Sequence, residues 1–291
     1  MGRRKAKTKD TFLTRCRRVW DRHDGAAKRR WLGGSVRLGI AGLAVVVAVY
    51  GLRRLEQVVQ HSAAHQAPAR VQLIDVPADL EPIMRESVAP FARVPWSSPT
   101  LCADLARVLE QVAWVRKVER VQRYPDRRVE VCCSYRRPFA MVQTGEGFYL
   151  VDEDGVRLPG RYTNHPSMKL IQGVASAAPP AGAEWGAPEL GAALELVGIL
   201  SEESFTDQIT AVLVGNFRGR TDARAAQIEL ATDRAGGRII WGSAPGEEIE
   251  ENSVSEKLEL LRGNYRRFGR VDAGRGVIDV SVHPDRVITP T

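Results

Sequence analysis

The sequence predicts an α+β protein carried behind one apolar, membrane-spanning segment, and three stretches predict it. In residues 129–135, Val129, Val131, Cys133 and Tyr135 alternate with Glu130, Cys132 and Ser134, as in a strand with one face buried. Residues 254–268 carry apolar side chains at helical spacing, and residues 277–282 alternate again soon after. Residues 38–52 contain no charged side chain.

The chain has 291 residues, 44% of them hydrophobic, enough for a substantial core in one or two domains. Its net charge of +7 is unevenly placed. Residues 1–30 hold 12 Lys/Arg against 3 Asp/Glu, whereas the other 261 residues hold 30 against 32. The basicity belongs to a tail, which lacks the aromatic pattern of a nucleic-acid surface. No nucleic-acid partner is expected, and the tail reads as a topology signal and membrane-surface contact.

The uncharged run of residues 38–52 would reach roughly 22 Å as a helix, and residues 31–52 roughly 33 Å, against a hydrocarbon layer of about 30 Å. The longer segment spans, with Arg37 close enough to the interface to snorkel and Trp31 suited to the interfacial belt. Arg53, Arg54 and Glu56 stand where a signal-peptide cleavage site needs small neutral residues. An uncleaved anchor over 31–54 is expected, the tail of 1–30 cytoplasmic and the rest outside.

Residues 55–69 read as a linker; His61 and His65 are four apart but lack a third metal ligand. Residues 71–76 form a short strand candidate. Residues 79–89 follow as a helix with Leu80, Ile83, Met84 and Val88 on one side. In a second helix Ser98 is placed to cap and Pro99 to occupy the first position, ahead of Leu101, Leu105, Val108 and Val112. Residues 115–124 and 129–135 then make a hairpin around Pro125-Asp126, ended by Pro138. Arg120 interrupts the alternation, which a bulge or register shift would accommodate.

Beyond Pro138 the chain turns mainly to strands, at 148–151, 156–158, 209–214, 227–231 and 238–241, with a helix at 190–200. The D-E-D-G at 152–155 reads as a hairpin turn and lacks most of the ligands of a calcium loop. Ser253 and Glu256 make a capping box; Val254, Leu258, Leu261, Tyr265 and Phe268 form the stripe behind it, and Gly269 supplies a stop. In the last strand Ile278, Val280 and Val282 share one face, and Val277, Asp279 and Ser281 the other.

W-V-R-K-V at 114–118, Y-P-D at 124–126, V-E-V at 129–131 and R-P-F-A at 137–140 are followed by F-Y-L-V-D-E-D-G at 148–155 and L-I-Q-G at 170–173. In order and spacing, behind a basic tail and one anchor, these resemble the FtsQ/DivIB cell-division family. Tyr135 departs from the Glu usual there, and the turn at Pro125 is one residue longer. The resemblance implies a POTRA-like β-α-α-β-β domain over 70–138 and a mixed, mainly antiparallel β-domain over 139–284 that closes with a helix and strand, leaving a tail of 285–291. It further implies a non-catalytic scaffold of the divisome in the plasma (inner) membrane, gathered at the division septum. The partners implied are the small bitopic proteins FtsB and FtsL (DivIC-like), held through the terminal strand and adjoining helix. Here that surface maps to Leu258, Arg262, Tyr265, Gly276, Val277, Ile278, Asp279, Val280, Ser281 and Val282. The POTRA-like domain would contact other membrane proteins of the divisome.

No nucleophile elbow, phosphate-cradling loop, zinc-protease motif or dinucleotide fingerprint is present in the sequence, so no catalytic, cofactor or metal residue is assigned. Cys102 lies on the helix expected to cover the face that Cys133 shares; a Cys102–Cys133 disulfide and buried thiols are both open. Two other functions remain open as well: a POTRA-containing envelope protein of secretion or outer-membrane assembly, and an anchored cell-wall enzyme.

Overall fold

The computed structural model describes residues 41–57 and 67–282. The expected tail of 1–30, the first part of the anchor, His61 and His65, and the tail of 285–291 lie outside the described residues. The chain divides into two units, residues 1–67 and 68–291. In the first, residues 41–57 are helical, and Leu43, Val46, Tyr50, Leu52 and Leu55 are each more than 60% exposed. Among the described residues no helix is long and apolar enough to cross a membrane.

The second unit is α+β, with two sheets of mixed strand orientation and separate cores. Its first sheet contains β1 (Arg70–Ile74), β2 (Val115–Arg123) and β3 (Arg128–Tyr135), in the order β1-β3-β2. β1 runs parallel to β3 and β2 antiparallel to it. The alternation in β3 buries Val129, Val131 and Cys133 beneath α1 (Glu81–Val88) and α2 (Leu101–Glu110). From the helices come Met84 and Val88, and Leu101, Leu105 and Leu109; full burial of each such side chain contributes about 1.5–3 kcal/mol. The ladder slips between Val118 and Arg120, where the apolar alternation breaks.

Two expectations need correction here. Ser98 does not cap α2: the N-cap is Thr100, and Ser98 Oγ lies 3.4 Å from Thr100 Oγ1. Ile83 is 39% exposed rather than on the buried side of α1, because its position faces away from the sheet that Met84 and Val88 meet.

The second sheet has seven strands: β4 (Ala140–Thr144), β5 (Gly147–Val151), β6 (Lys169–Gln172), β7 (Ile209–Leu213), β8 (Ile228–Thr232), β9 (Arg238–Gly242) and β10 (Val277–Asp279). Their order is β10-β9-β8-β7-β6-β4-β5. The resemblance implies a mixed, mainly antiparallel sheet; the sheet is mixed, but antiparallel pairings do not dominate, three being parallel and three antiparallel. Two of the three parallel pairings follow from the placement of α3 (Pro188–Ser201) between β6 and β7 and of α4 (Val254–Phe268) between β9 and β10; the third, β4 with β6, is made without a helix, after β5 has turned back on the other side of β4. Each helix is a crossover joining parallel neighbours, which a tight turn cannot do. β4 was not distinguished by sequence alone, and residues 156–158 make isolated bridges rather than a strand.

One face of this sheet packs under α3 and α4, with Ile171, Val212, Leu230, Ile239 and Trp241 in the core. On the other face Met141, Leu150, Leu158, Leu170 and Ala211 cluster against Trp114. Trp114 also packs on the core of the first sheet, so it bridges the two. The D-E-D-G turn adds a polar clamp: Arg136 donates to the buried Asp152 at 2.6 Å, and Arg116 pairs with Glu153 and, at 2.9 Å, with Asp154.

Candidate partner-binding edge

The strand β10 has one neighbour, and the ladder tells which of its amides are spoken for. Arg238 N–H donates to the Gly276 carbonyl at 2.9 Å and Val280 N–H to the Ile240 carbonyl at 3.1 Å. In a parallel ladder this points the backbone of Gly276, Ile278 and Val280 at β9, and that of Val277 and Asp279 away from it. Among the described residues nothing pairs with those outward groups. The side chains divide as expected: Ile278 and Val280 join the core, while Val277 and Asp279 are exposed.

The strand stops earlier than residues 277–282 suggest. Asp279 Oδ1 accepts from Ser281 N at 2.8 Å and from Ser281 Oγ at 2.6 Å, folding the chain out of extension. Asn252 then takes three successive carbonyls, its backbone N–H donating to Ser281 and its side-chain amide to Val280 and Val282. Ser281 and Val282 therefore end the edge rather than extend it, and they reverse the expected alternation: Ser281 is buried and Val282 is 45% exposed.

Helix α4 sets the strand's position. Its start is the capping box that the sequence signals, with Ser253 Oγ accepting from Glu256 N and the Glu256 carboxylate from Ser253 N. Its end is Gly269 at φ 67°. The loop to β10 is pinned at Asp272, whose carboxylate accepts from Arg270 Nε and Nη2 at 3.0 Å each and from Gly274 N. Arg270 reaches on to Asp233 at 2.6 Å. The Arg270 guanidinium holds the buried Asp272 carboxyl below its ordinary range, outweighing the upward push of burial.

Beneath the first turn of α4 lies a group that the sequence reading passed over. Lys257 is fully buried, its Nζ 3.1 Å from Glu251 Oε2 and 5.2 Å from the centre of the Trp241 ring. Glu251 also accepts from Ser243 N and Oγ, both at 3.0 Å. Gly242 permits this approach: it sits at φ 97°, and a Cβ there would lie 2.2 Å from Glu251 Oε2. The signal was available, since Lys257 falls three residues after Val254 and four before Leu261, on the buried stripe.

Of the helix residues assigned to the partner surface, Leu258 is placed in the core, with its side chain unavailable to a partner. Arg262 is exposed and forks onto Glu203, donating from Nε at 2.9 Å and from Nη2. Tyr265 packs its ring on Phe205, centroids 6.1 Å apart. Arg262 and Tyr265 line an open groove of about 1120 Å³ with Glu202, Glu256 and Glu259. Asn252, which holds the end of β10, lines it too, so strand and groove share a boundary residue. Far from this edge Cys102, Cys132 and Cys133 are free thiols. Burial pushes the Cys133 thiol up to about 11, which keeps it protonated and unreactive near neutral pH.

No protein-family model and no curated protein matches the chain.

Proposed function

We propose that the chain is a single-pass scaffold of the bacterial division machinery, of the FtsQ/DivIB type, that holds small bitopic partners of the FtsB and FtsL (DivIC-like) kind by taking a strand onto β10. It has no catalysis of its own. The observation that carries the reading is the outward backbone of Val277 and Asp279, which no described residue pairs, at the end of a seven-stranded sheet. An incoming extended segment would pair with those groups, and side chains at alternate positions would give selectivity. The order β1-α1-α2-β2-β3, with β1 parallel to the central β3, suits a POTRA-like domain ahead of it. The exposed apolar side chains of residues 41–57 suit the end of a membrane anchor that would begin at residue 31, and under this reading the partner-binding unit would lie outside the cytoplasm and gather at the division septum.

The test follows from the ladder. Val277→Pro removes an N–H that points outward and leaves every β9–β10 bond in place, whereas Val280→Pro would break the inward bond to Ile240. In the full chain, Val277→Pro is expected to weaken capture of an FtsB-type segment about tenfold or more, with an unchanged unfolding midpoint. Unchanged affinity in the folded variant would reject strand addition at this edge. An N-terminal fluorescent fusion that ignores the constriction in dividing cells would reject the division role.

A further inference from the structure

A second groove, of about 580 Å³, lies away from β10, between the turn after β5 and the start of α3. Phe139, Trp185, Leu190 and Leu194 give it apolar walls. Four carboxylates, Glu153, Asp154, Glu184 and Glu195, line it, and no Lys, Arg or His does. Glu153 and Asp154 are already paired, both with Arg116 and Asp154 also with Arg136 at 3.7 Å, and neither arginine lines the groove. Glu184 and Glu195 pair with no cation among the described residues. Gly186 and Gly191 also line the groove, and a Cβ built on either meets nothing within 4 Å. Space is therefore open above both glycines, and a guest's main chain can come close.

We infer that this groove docks a basic peptide segment of another protein, one that presents an apolar side chain between two Arg or Lys residues. The apolar walls take the central side chain, and the carboxylates of Glu184 and Glu195 take the flanking cations. The excess of acid over base gives the surface its selectivity: an acidic or neutral segment would meet uncompensated like charge or leave the carboxylates unpaired. This site is independent of strand addition at β10.

The probe is a fluorescein-labelled peptide, Gly-Arg-Phe-Arg-Gly, followed by fluorescence anisotropy with the full chain in a neutral detergent. The controls are protein-free micelles and the Glu-for-Arg peptide. Saturable binding of the Arg peptide is expected, weakened about tenfold in the Glu184→Gln/Glu195→Gln double variant, since two rim charges contribute about 0.7 kcal/mol each. Gly191→Leu fills the groove from within a helix, where Leu is the better residue, and is expected to abolish binding while the unfolding midpoint holds or rises. The proposal is overturned if the signal matches protein-free micelles, if the Glu peptide binds equally, or if both variants bind as the parent does. It is also overturned if binding emerges only when residues 1–30 are deleted, because the occupant is then the chain's own basic tail.

Discussion

The two edges of the seven-stranded sheet are treated oppositely by the same chain. At the β5 edge the segment after the D-E-D-G turn folds back over the strand. Leu158 N–H donates to Leu150 at 2.8 Å, Tyr162 N–H to Phe148 at 2.9 Å and Asp152 N–H to the Val156 carbonyl at 3.1 Å. Gly147, Tyr149 and Val151 turn their backbone to β4, and the outward carbonyls of Phe148 and Leu150 are taken by local chain, so this edge is covered. At the β10 edge the backbone of Val277 and Asp279 faces outward with no described residue against it. A protein that needed only to prevent strand-to-strand association would protect both edges. Here the outward carbonyls of one edge are covered while, among the described residues, nothing covers the outward groups of the three-residue β10, the difference that the proposed strand addition would use.

The comparison predicts its own largest asymmetry. Leu158 is fully buried in the small core beneath the closed edge, and Leu158→Ala leaves a cavity there while loosening the cover. A loss of about 3 kcal/mol is expected from urea unfolding of the full chain in detergent, followed by tryptophan fluorescence. A loss below about 1 kcal/mol would mean that residues 156–162 lie on β5 without sealing it.

A smaller effect is expected where the open edge is held in place. Asp272→Asn in the loop between α4 and β10 leaves one acceptor oxygen for Arg270 in place of two and removes the carboxylate charge, and should cost about 2 kcal/mol at pH 7. The pH dependence gives a second readout. The carboxyl of Asp272 is depressed in the folded protein, so its stabilisation is fully present above the unfolded carboxyl range near pH 4. It is lost as pH falls from there through the depressed folded value, because the unfolded chain takes up the proton first. The Asn variant should show a flatter decline in that acid window. An identical decline would show that Arg270 and Asp272 do not set the loop.

What the sequence made legible follows from how local each determinant is. The capping box, the stripe of α4 and its Gly269 stop are set by residues within one helix, and the structure gives α4 as Val254–Phe268. Alternation likewise marked the buried face of β3 and that of β10. Strand direction was not legible, since whether a helix joins parallel or antiparallel strands depends on where the next strand lands. Nor was the length of β10: the turn of Asp279 onto Ser281 that ends it is local, but Asn252, which holds the carbonyls beyond it, stands 25 residues before Val277. The clamp of Arg116 and Arg136 on the D-E-D-G turn was missed for the same reason: a run of acids signals a turn, and only the fold shows which cations it meets. Lys257 was different, because its spacing put it on the buried stripe and only its charge argued against that.

The least effect on stability is expected at Val277, and that is the point of comparing it with Leu158. Its side chain is 57% exposed and packs on no described core, so Val277→Ala should shift unfolding by no more than about 0.5 kcal/mol, read in the same urea titration. The backbone of the variant still offers the outward N–H and C=O, so capture of an extended segment should persist where Val277→Pro weakens it. This pair separates main-chain pairing from side-chain packing, two contributions that any single truncation at the edge would mix. Should Val277→Ala instead destabilise the chain by 2 kcal/mol or more, something of the chain's own must already lie against β10. The two edges would then be alike, and a partner strand would have to displace that cover before it could add.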